Sequence, residues 1–189
     1  MKLGIDAMSG DLGSRIVVEA CLSFLEKNKT DELYVVGTIE ELEALKPYDQ
    51  VTLIDAREVL EMTENILAIR RKKESSMVKT MMLARKGEVD AVLSCGNTGA
   101  YYASAMLFLK RIEGVEKSCL MAMMPTYSDN KVAMLDVGAN SENTAEQLKS
   151  FAIMGNAYAK NVLKITNPKI ALLNIGSEHH KGDEIHQET

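Results

Sequence analysis

The sequence predicts an α/β protein with a mainly parallel sheet, and two observations carry the prediction. Four short apolar runs each end in a Gly-, Asp- or Asn-rich loop that then opens a helical pattern. The loops are Asp6-Ala7-Met8-Ser9-Gly10-Asp11, Cys95-Gly96-Asn97-Thr98-Gly99, Asp136-Val137-Gly138-Ala139-Asn140, and Asn174-Ile175-Gly176 running on to Lys181-Gly182. Strand-like and helix-like spacings also alternate along the chain, as they do in βα units. Parallel strands in one sheet would bring all four loops to its carboxyl edge, where open α/β sheets bind ligands.

Residues 3–5 read as a buried strand, followed by Val17, Val18, Cys21, Leu22 and Leu25 at helical spacing. A second strand covers 33–36; Thr38 and Glu41 then have capping-box spacing before a short helix ending near Pro47. A third strand covers 51–54. The charged stretch 58–74 is helical in part, and Ser75-Ser76 can cap the next helix, in which Met77, Met81 and Ala84 share a face. Residues 91–93 read as a buried strand, 101–109 as an apolar helix and 120–124 as another strand. The cluster Ser128-Asp129-Asn130 is turn chemistry, so 120–124 and 132–135 pair as an antiparallel hairpin. A helix over 145–163 stops before Asn167-Pro168, residues 170–173 supply a further strand, and Gly182-Asp183-Glu184-Ile185 starts another helix.

The chain has 189 residues, read as a single α/β domain over 1–189, with 46% hydrophobic and 26% charged residues, ordinary values for a globular protein. Its net charge of -5 argues against a nucleic-acid partner, which needs clustered Lys and Arg to neutralise phosphates. Arg70-Arg71-Lys72-Lys73 is the local exception, either a solvated helix end or a surface for an anionic partner. Cys21, Cys95 and Cys119 have no C-x-x-C spacing and fit a reducing compartment. With no signal-peptide pattern and no apolar run of transmembrane length, the expected location is the cytoplasm.

The chemistry is sought in the loops. A glycine-containing turn that opens a helix offers unpaired N–H groups and a favourable dipole to an anion, and Gly96-Asn97-Thr98-Gly99 is the best example; its plain alternative is a tight strand-to-helix turn. Neither G-x-x-x-x-G-K-[ST] nor G-x-G-x-x-G occurs, so the anion is expected to be smaller than a nucleotide. Lys181 beside Gly182 can add a point charge, or be an ordinary surface lysine. Asp6, Asp11 and Asp136 stand at or just beyond strand ends, where carboxylates would repel phosphate; positioning roles suit them better. No metal site is expected, since His179 and His180 are adjacent and point apart and His186 lacks a second ligand at a recognised spacing. Cys95 at a strand end is considered as a nucleophile. Met77, Met81, Met82, Met106, Met121, Met123 and Met124 either pack the core or line a groove for a flexible chain.

Five segments in series add a resemblance. Residues 5–11, 70–77 (Arg70-Arg71-Lys72-Lys73-Glu74-Ser75-Ser76-Met77), 94–100, 135–140 and 172–176, with Phe151-Ala152-Ile153-Met154-Gly155, together resemble the bacterial phosphate acyltransferases of phospholipid synthesis across the whole chain. The resemblance implies transfer of a fatty acyl group from acyl carrier protein to inorganic phosphate, giving acyl phosphate. It also implies a three-layer α/β/α Rossmann-like fold related to isopropylmalate dehydrogenases and phosphotransacetylases, no cofactor, a homodimer, and peripheral association with the inner face of the membrane. Family members continue well past Thr189, so this chain resembles their N-terminal part.

On this resemblance Lys181 matches the lysine of the family's Lys-Gly pair and, with Asn97, is expected to be catalytic. Phosphate and oxyanion contact falls to Gly96, Asn97, Thr98, Gly99 and Asn140, positioning to Asp6, Asp11 and Asp136, and carrier-protein docking to Arg70, Arg71, Lys72 and Lys73. Three departures stand out: Ser9 where the family usually has Gly, Leu12-Gly13-Ser14 where His-Ala-Pro is usual, and Cys95 where Ala is usual. The last removes the covalent cysteine. A phosphotransacetylase-like enzyme using acyl-coenzyme A and a non-catalytic carrier-protein-binding fragment are the alternatives.

Overall fold

The structure, a computed structural model, describes residues 1–64, 67–127, 131–176 and 181–189. Where the sequence reads as one domain over 1–189, contacts group the chain into two compact units, Met1–Lys110 and Arg111–Thr189.

The first unit holds a fully parallel four-stranded sheet of order β3-β2-β1-β4, with β1 Lys2–Asp6, β2 Glu32–Gly37, β3 Val51–Asp55 and β4 Ala91–Ser94. Successive side chains of a strand face opposite ways. Leu33 and Val35 therefore enter one core with Ile5 and with Val17, Val18, Cys21 and Leu25 of helix α1 (Gly13–Lys27), whereas Val36 joins Ala56, Leu83 and Val89 in another. Leu25 is 0% exposed, a burial that contributes about 1.5–3 kcal/mol.

Beyond β2 the expected helix is a 3-10 turn, Ile39–Leu45, and Thr38 caps nothing with its side chain. Its hydroxyl donates instead to the Ala56 carbonyl at 3.4 Å, and Glu41 accepts from Ser14, so tertiary partners have taken both members of the capping pair. The stretch 58–74 yields only α2, Ala68–Arg71, after which α3 runs over Ser76–Arg85 with Ser75 as its N-cap residue. Met77 and Met81 are 0% exposed and serve the core.

Strand β4 departs from its expected burial. It is the outer strand of this four-stranded sheet, and Leu93 is 58% exposed. An apolar run announces a strand but not which neighbours will cover it. Helix α4, Thr98–Phe108, follows.

In the second unit β5 (Met121–Pro125) and β6 (Lys131–Leu135) form the expected antiparallel pair, in register Met121↔Leu135 to Pro125↔Lys131. The turn residues Ser128, Asp129 and Asn130 lie outside the described residues. Helix α5, Ala145–Asn161, opens with a full capping box between Thr144 and Gln147. Residues 170–173, expected as a strand, form none. Strand identity requires a hydrogen-bonded neighbour, and the two described strands of this unit pair with each other. Ile170 and Leu173 are accordingly 55% and 73% exposed. The last element, α6, is Glu184–Glu188. No helix among the described residues is long and apolar enough to cross a membrane.

Candidate functional site

Strand order 3-2-1-4 reverses direction between β1 and β4, the point where an open parallel sheet leaves a crevice at its carboxyl edge. The loops after β1 and β4 flank that point. They touch closely: a Cβ added at Gly96 would stand 2.5 Å from Ser9 Cβ and 2.9 Å from the Met77 methyl, and one added at Gly10 would stand 3.1 Å from Cys95 Cβ. Only glycine at 96 permits this approach.

Asp6 ends β1 and is 2% exposed. Its Oδ2 accepts from the Ser94 hydroxyl at 2.7 Å and its Oδ1 from the Met8 N–H at 3.2 Å. Ser94 Oγ in turn accepts from the Gly96 N–H at 3.1 Å. Asp6 thus acts through Ser94 to fix the start of the Gly96 loop. The Gly96 N–H, expected to face a ligand, is committed inward.

Asn97 is the N-cap of α4. Its Oδ1 accepts from the Ala100 N–H at 2.9 Å, and its Nδ2 donates to the Met62 carbonyl. Both ends of the side chain are occupied. The N–H groups of Asn97, Thr98 and Gly99 have no partner among the described residues, and Thr98 and Gly99 are exposed. The anion-binding capacity of this loop therefore rests on three backbone donors at the head of an eleven-residue helix.

Asp11 is exposed and has no hydrogen bond or ion pair among the described residues. Cys95 is exposed, whereas burial pushes the Cys21 thiol up to about 11. The basic cluster divides. Arg70, Arg71 and Lys73 are exposed, but Lys72 Nζ donates to the Val59 carbonyl at 2.9 Å and to Glu64 at 2.6 Å, and this lysine holds the Glu64 carboxyl below its usual range.

In the second unit Asp136 follows β6 with φ +59°, a left-handed conformation that costs a non-glycine residue of order 1–3 kcal/mol. Its two oxygens accept from Asn140 Nδ2 at 2.9 Å and Asn143 Nδ2 at 2.6 Å. Asn140 Nδ2 also donates to the Ser118 carbonyl at 3.1 Å. Lys117 completes the network, donating to Asn143 Oδ1 at 3.0 Å, Gln147 Oε1 at 3.2 Å and the Glu142 carbonyl at 2.6 Å. Asp136 orders the loop that carries Asn140, a positioning role.

Lys181 is half-buried; its carbonyl accepts from Asn174 Nδ2 at 3.1 Å, and its ammonium makes no ion pair among the described residues. Gly182 has φ +90°, and a Cβ there would meet both Asn174 side-chain polar atoms and His186 Cβ at 2.8 Å. Glycine thus lets Asn174 close against the Lys181-Gly182 turn. Asp183 caps α6 through the His186 N–H at 2.9 Å, and its contact with the His186 ring, 2.6 Å away, lowers its carboxyl pKa. His179 and His180 lie outside the described residues; among the described ones no group of three or more His, Cys, Asp or Glu could hold a metal ion.

Sequence reasoning missed Ser94, Lys117 and Asn143. Ser94 ends an apolar run one strand away from Asp6, but only the β1–β4 register, Asp6↔Ser94, makes them neighbours. The Thr144-x-x-Gln147 capping box was legible and overlooked.

Comparison with known proteins follows the same lines. A family model described as fatty acid synthesis protein matches residues 1–189. Curated proteins named phosphate acyltransferase are similar throughout: one from Exiguobacterium is 41% identical over 192 residues, one from Lysinibacillus sphaericus 42% over 191, and one from Streptococcus uberis 42% over 190. All of this chain is covered in each case, and it spans 58% of the length of the first two and 57% of the third. Among solved structures, EutD phosphotransacetylase from Staphylococcus aureus matches with a TM-score of 0.59 and 18% identity, over 84% of this chain and 52% of that one. At that identity the likeness concerns the α/β fold.

Proposed function

The chain belongs to the fatty acid synthesis protein family, and from that premise we propose that it acts in phosphate acyl transfer, moving a fatty acyl group from acyl carrier protein to inorganic phosphate. The observation that carries the reading is the head of α4: three unpaired N–H groups at the sheet's reversal point, on a loop fixed by buried Asp6 through Ser94. Preorganised backbone donors of this kind stabilise an oxyanion without reorganising during reaction.

The chemistry asks little else of the protein. An ionised phosphate oxygen attacks the thioester carbonyl, the new C–O bond forms as the carbonyl oxygen takes up negative charge, and collapse of the tetrahedral species breaks the C–S bond. The departing thiolate needs little acid help, because a free thiol has a pKa of about 8.5. We assign the oxyanion to the Asn97, Thr98 and Gly99 N–H groups, with Gly96 shaping the loop and Asn97 capping the helix. By family likeness Lys181 is assigned to supply positive charge in the reaction; the Asn140 side-chain amide spends both its hydrogens on Asp136 and Ser118, so Asn140 is assigned to ordering its own loop. Asp11 is assigned to positioning at the edge of the first loop. No cofactor is invoked.

Carrier-protein docking falls to Arg70, Arg71 and Lys73, the exposed members of the cluster, with Lys72 holding the segment through Glu64. The double reversal Arg70→Glu/Arg71→Glu is expected to weaken carrier-protein affinity by about tenfold or more at low salt, with the difference shrinking as salt rises. Unchanged affinity in a binding titration would move docking elsewhere. On the same reading the enzyme works in the cytoplasm as a homodimer, with peripheral contact to the membrane that receives its product.

Thioester preference tests the assignment. Phosphate-dependent loss of acyl-acyl carrier protein, with the coenzyme A ester left intact, is the expected result. The reverse preference would favour a phosphotransacetylase-like enzyme, and carrier-protein capture without turnover a binding module.

A further inference from the structure

A second helix head at the carboxyl edge has a different character. Helix α3 is ten residues long, and its first two residues and N-cap place Ser75, Ser76 and Met77 in succession. Ser75 and Ser76 are both 0% exposed, and neither hydroxyl has a hydrogen-bond partner among the described residues. An N-cap serine ordinarily accepts from an N–H of its own first turn, yet Ser75 makes no such bond. The Met77 and Val78 N–H groups, which such a cap would serve, are also without acceptors among the described residues, whereas the Ser76 N–H goes to the Glu58 carbonyl and the Ser75 N–H to that of Lys72. Two hydroxyls and two amides are thus buried together without a partner among the described residues. Buried polar groups in folded proteins are nearly always satisfied, and a cluster of four unsatisfied ones marks a place for a missing partner.

Among the described residues a third unpartnered buried hydroxyl belongs to Ser9, which is 3% exposed. Ser9 and the Met77 methyl are the groups nearest to a Cβ added at Gly96, so this corner adjoins the loop that opens α4. The two helix heads differ in what they offer. That of α4 presents exposed backbone amides, suited to a single oxygen. That of α3 adds rotatable hydroxyl donors, suited to a group with several oxygens, and the dipole favours negative charge. Glu74, the carboxylate just ahead, is paired with Lys79 at 2.9 Å.

We propose that the N-terminus of α3 is the inorganic-phosphate subsite, with the Ser75 and Ser76 hydroxyls and the Met77 and Val78 amides as its donors. The assignment deepens the phosphate acyltransferase reading and rests on it for the identity of the anion. Phosphate and the acyl oxyanion then occupy separate helix heads on one sheet edge. Both serines are closed from solvent, so the anion enters as the turn ahead of α3 moves aside.

The test is the double variant Ser75→Ala/Ser76→Ala in the full chain, melted with and without inorganic phosphate at matched ionic strength and assayed for acyl-phosphate formation. Removing unpartnered hydroxyls is expected to leave the phosphate-free melting temperature unchanged or higher. Phosphate should raise the melting temperature of the wild type and not of the variant. The phosphate concentration for half-maximal rate should rise about tenfold or more, the weight of a lost hydrogen bond to a charged group, with the KM for acyl thioester unchanged. Equal phosphate stabilisation of both chains, no effect of phosphate on either, or an unchanged phosphate half-saturation would overturn the proposal and leave the hydroxyls to water. If the double variant does not fold, Ser75→Ala alone gives the same comparison. A wild type stabilised by phosphate through these serines but forming no acyl phosphate would sink the enzymatic reading and keep the anion site. Turnover with normal phosphate dependence in the variant would do the opposite.

Discussion

Lys181→Ala is expected to cut acyl-phosphate formation about a hundred- to a thousand-fold, the range seen when one preorganised group facing developing charge is removed. The side chain makes no ion pair among the described residues, and the turn around it is held by the backbone: Asn174 donates to the Lys181 carbonyl, and Gly182 admits Asn174 and His186. Fold and melting temperature should therefore be unchanged while turnover collapses. Lys181→Arg tests charge against shape. A guanidinium keeps the charge but spreads it over a planar fork, so partial activity is expected. Near-normal turnover of Lys181→Ala would remove this lysine from the site.

Gly96→Ala should have the largest effect on stability. The added Cβ would lie 2.5 Å from Ser9 Cβ, 2.9 Å from the Ser9 carbonyl oxygen and 2.9 Å from the Met77 methyl. The methyl end of a methionine can give way, but the Ser9 backbone cannot without moving the loop after β1. Overpacking of this kind costs about 1–3 kcal/mol, which for a unit the size of Met1–Lys110 lowers the melting temperature by roughly 4–8 °C per kcal/mol. Ser9→Gly in the same chain removes the Cβ–Cβ clash and should restore part of the loss. The backbone oxygen contact remains, so rescue stays incomplete. Strict additivity of the two substitutions in a double-mutant cycle would show that the loops do not press on each other here.

The pair Ser9 and Gly96 also illustrates what a sequence can carry. Glycine at 96 is legible as a turn, and the helix it opens is legible from its apolar spacing. That its amide faces Ser94 and not a ligand depends on Asp6, 88 residues away from Ser94, reached only through the parallel register. The same distinction runs through the chain. Periodicity located β1, β2, β3 and the β5–β6 hairpin because alternation or turn chemistry is local. It could not locate β4 at the sheet's edge, nor leave residues 170–173 unpaired, because both depend on which neighbours are present. Asn97 has a local partner, Ala100, three residues on, yet its sequence setting points to ligand contact and not to the cap it forms. Side chains with distant partners are no more legible: Lys72, paired with Glu64, reads only as one charge of a basic run, and Lys117, paired with Asn143, gives no signal at all.

The basic cluster shows the consequence for function. Four consecutive cations look equivalent in sequence, yet one is half-buried and spends its ammonium on a carbonyl and a carboxylate. Any docking surface is narrower than the run suggests.

Phosphorus NMR of the chain mixed with acyl-acyl carrier protein and inorganic phosphate tests the central claim most directly. The account predicts a new acyl-phosphate resonance that grows as free phosphate falls, requires the thioester, and is suppressed by Lys181→Ala. A folded chain that binds both substrates and yields no such resonance would contradict it.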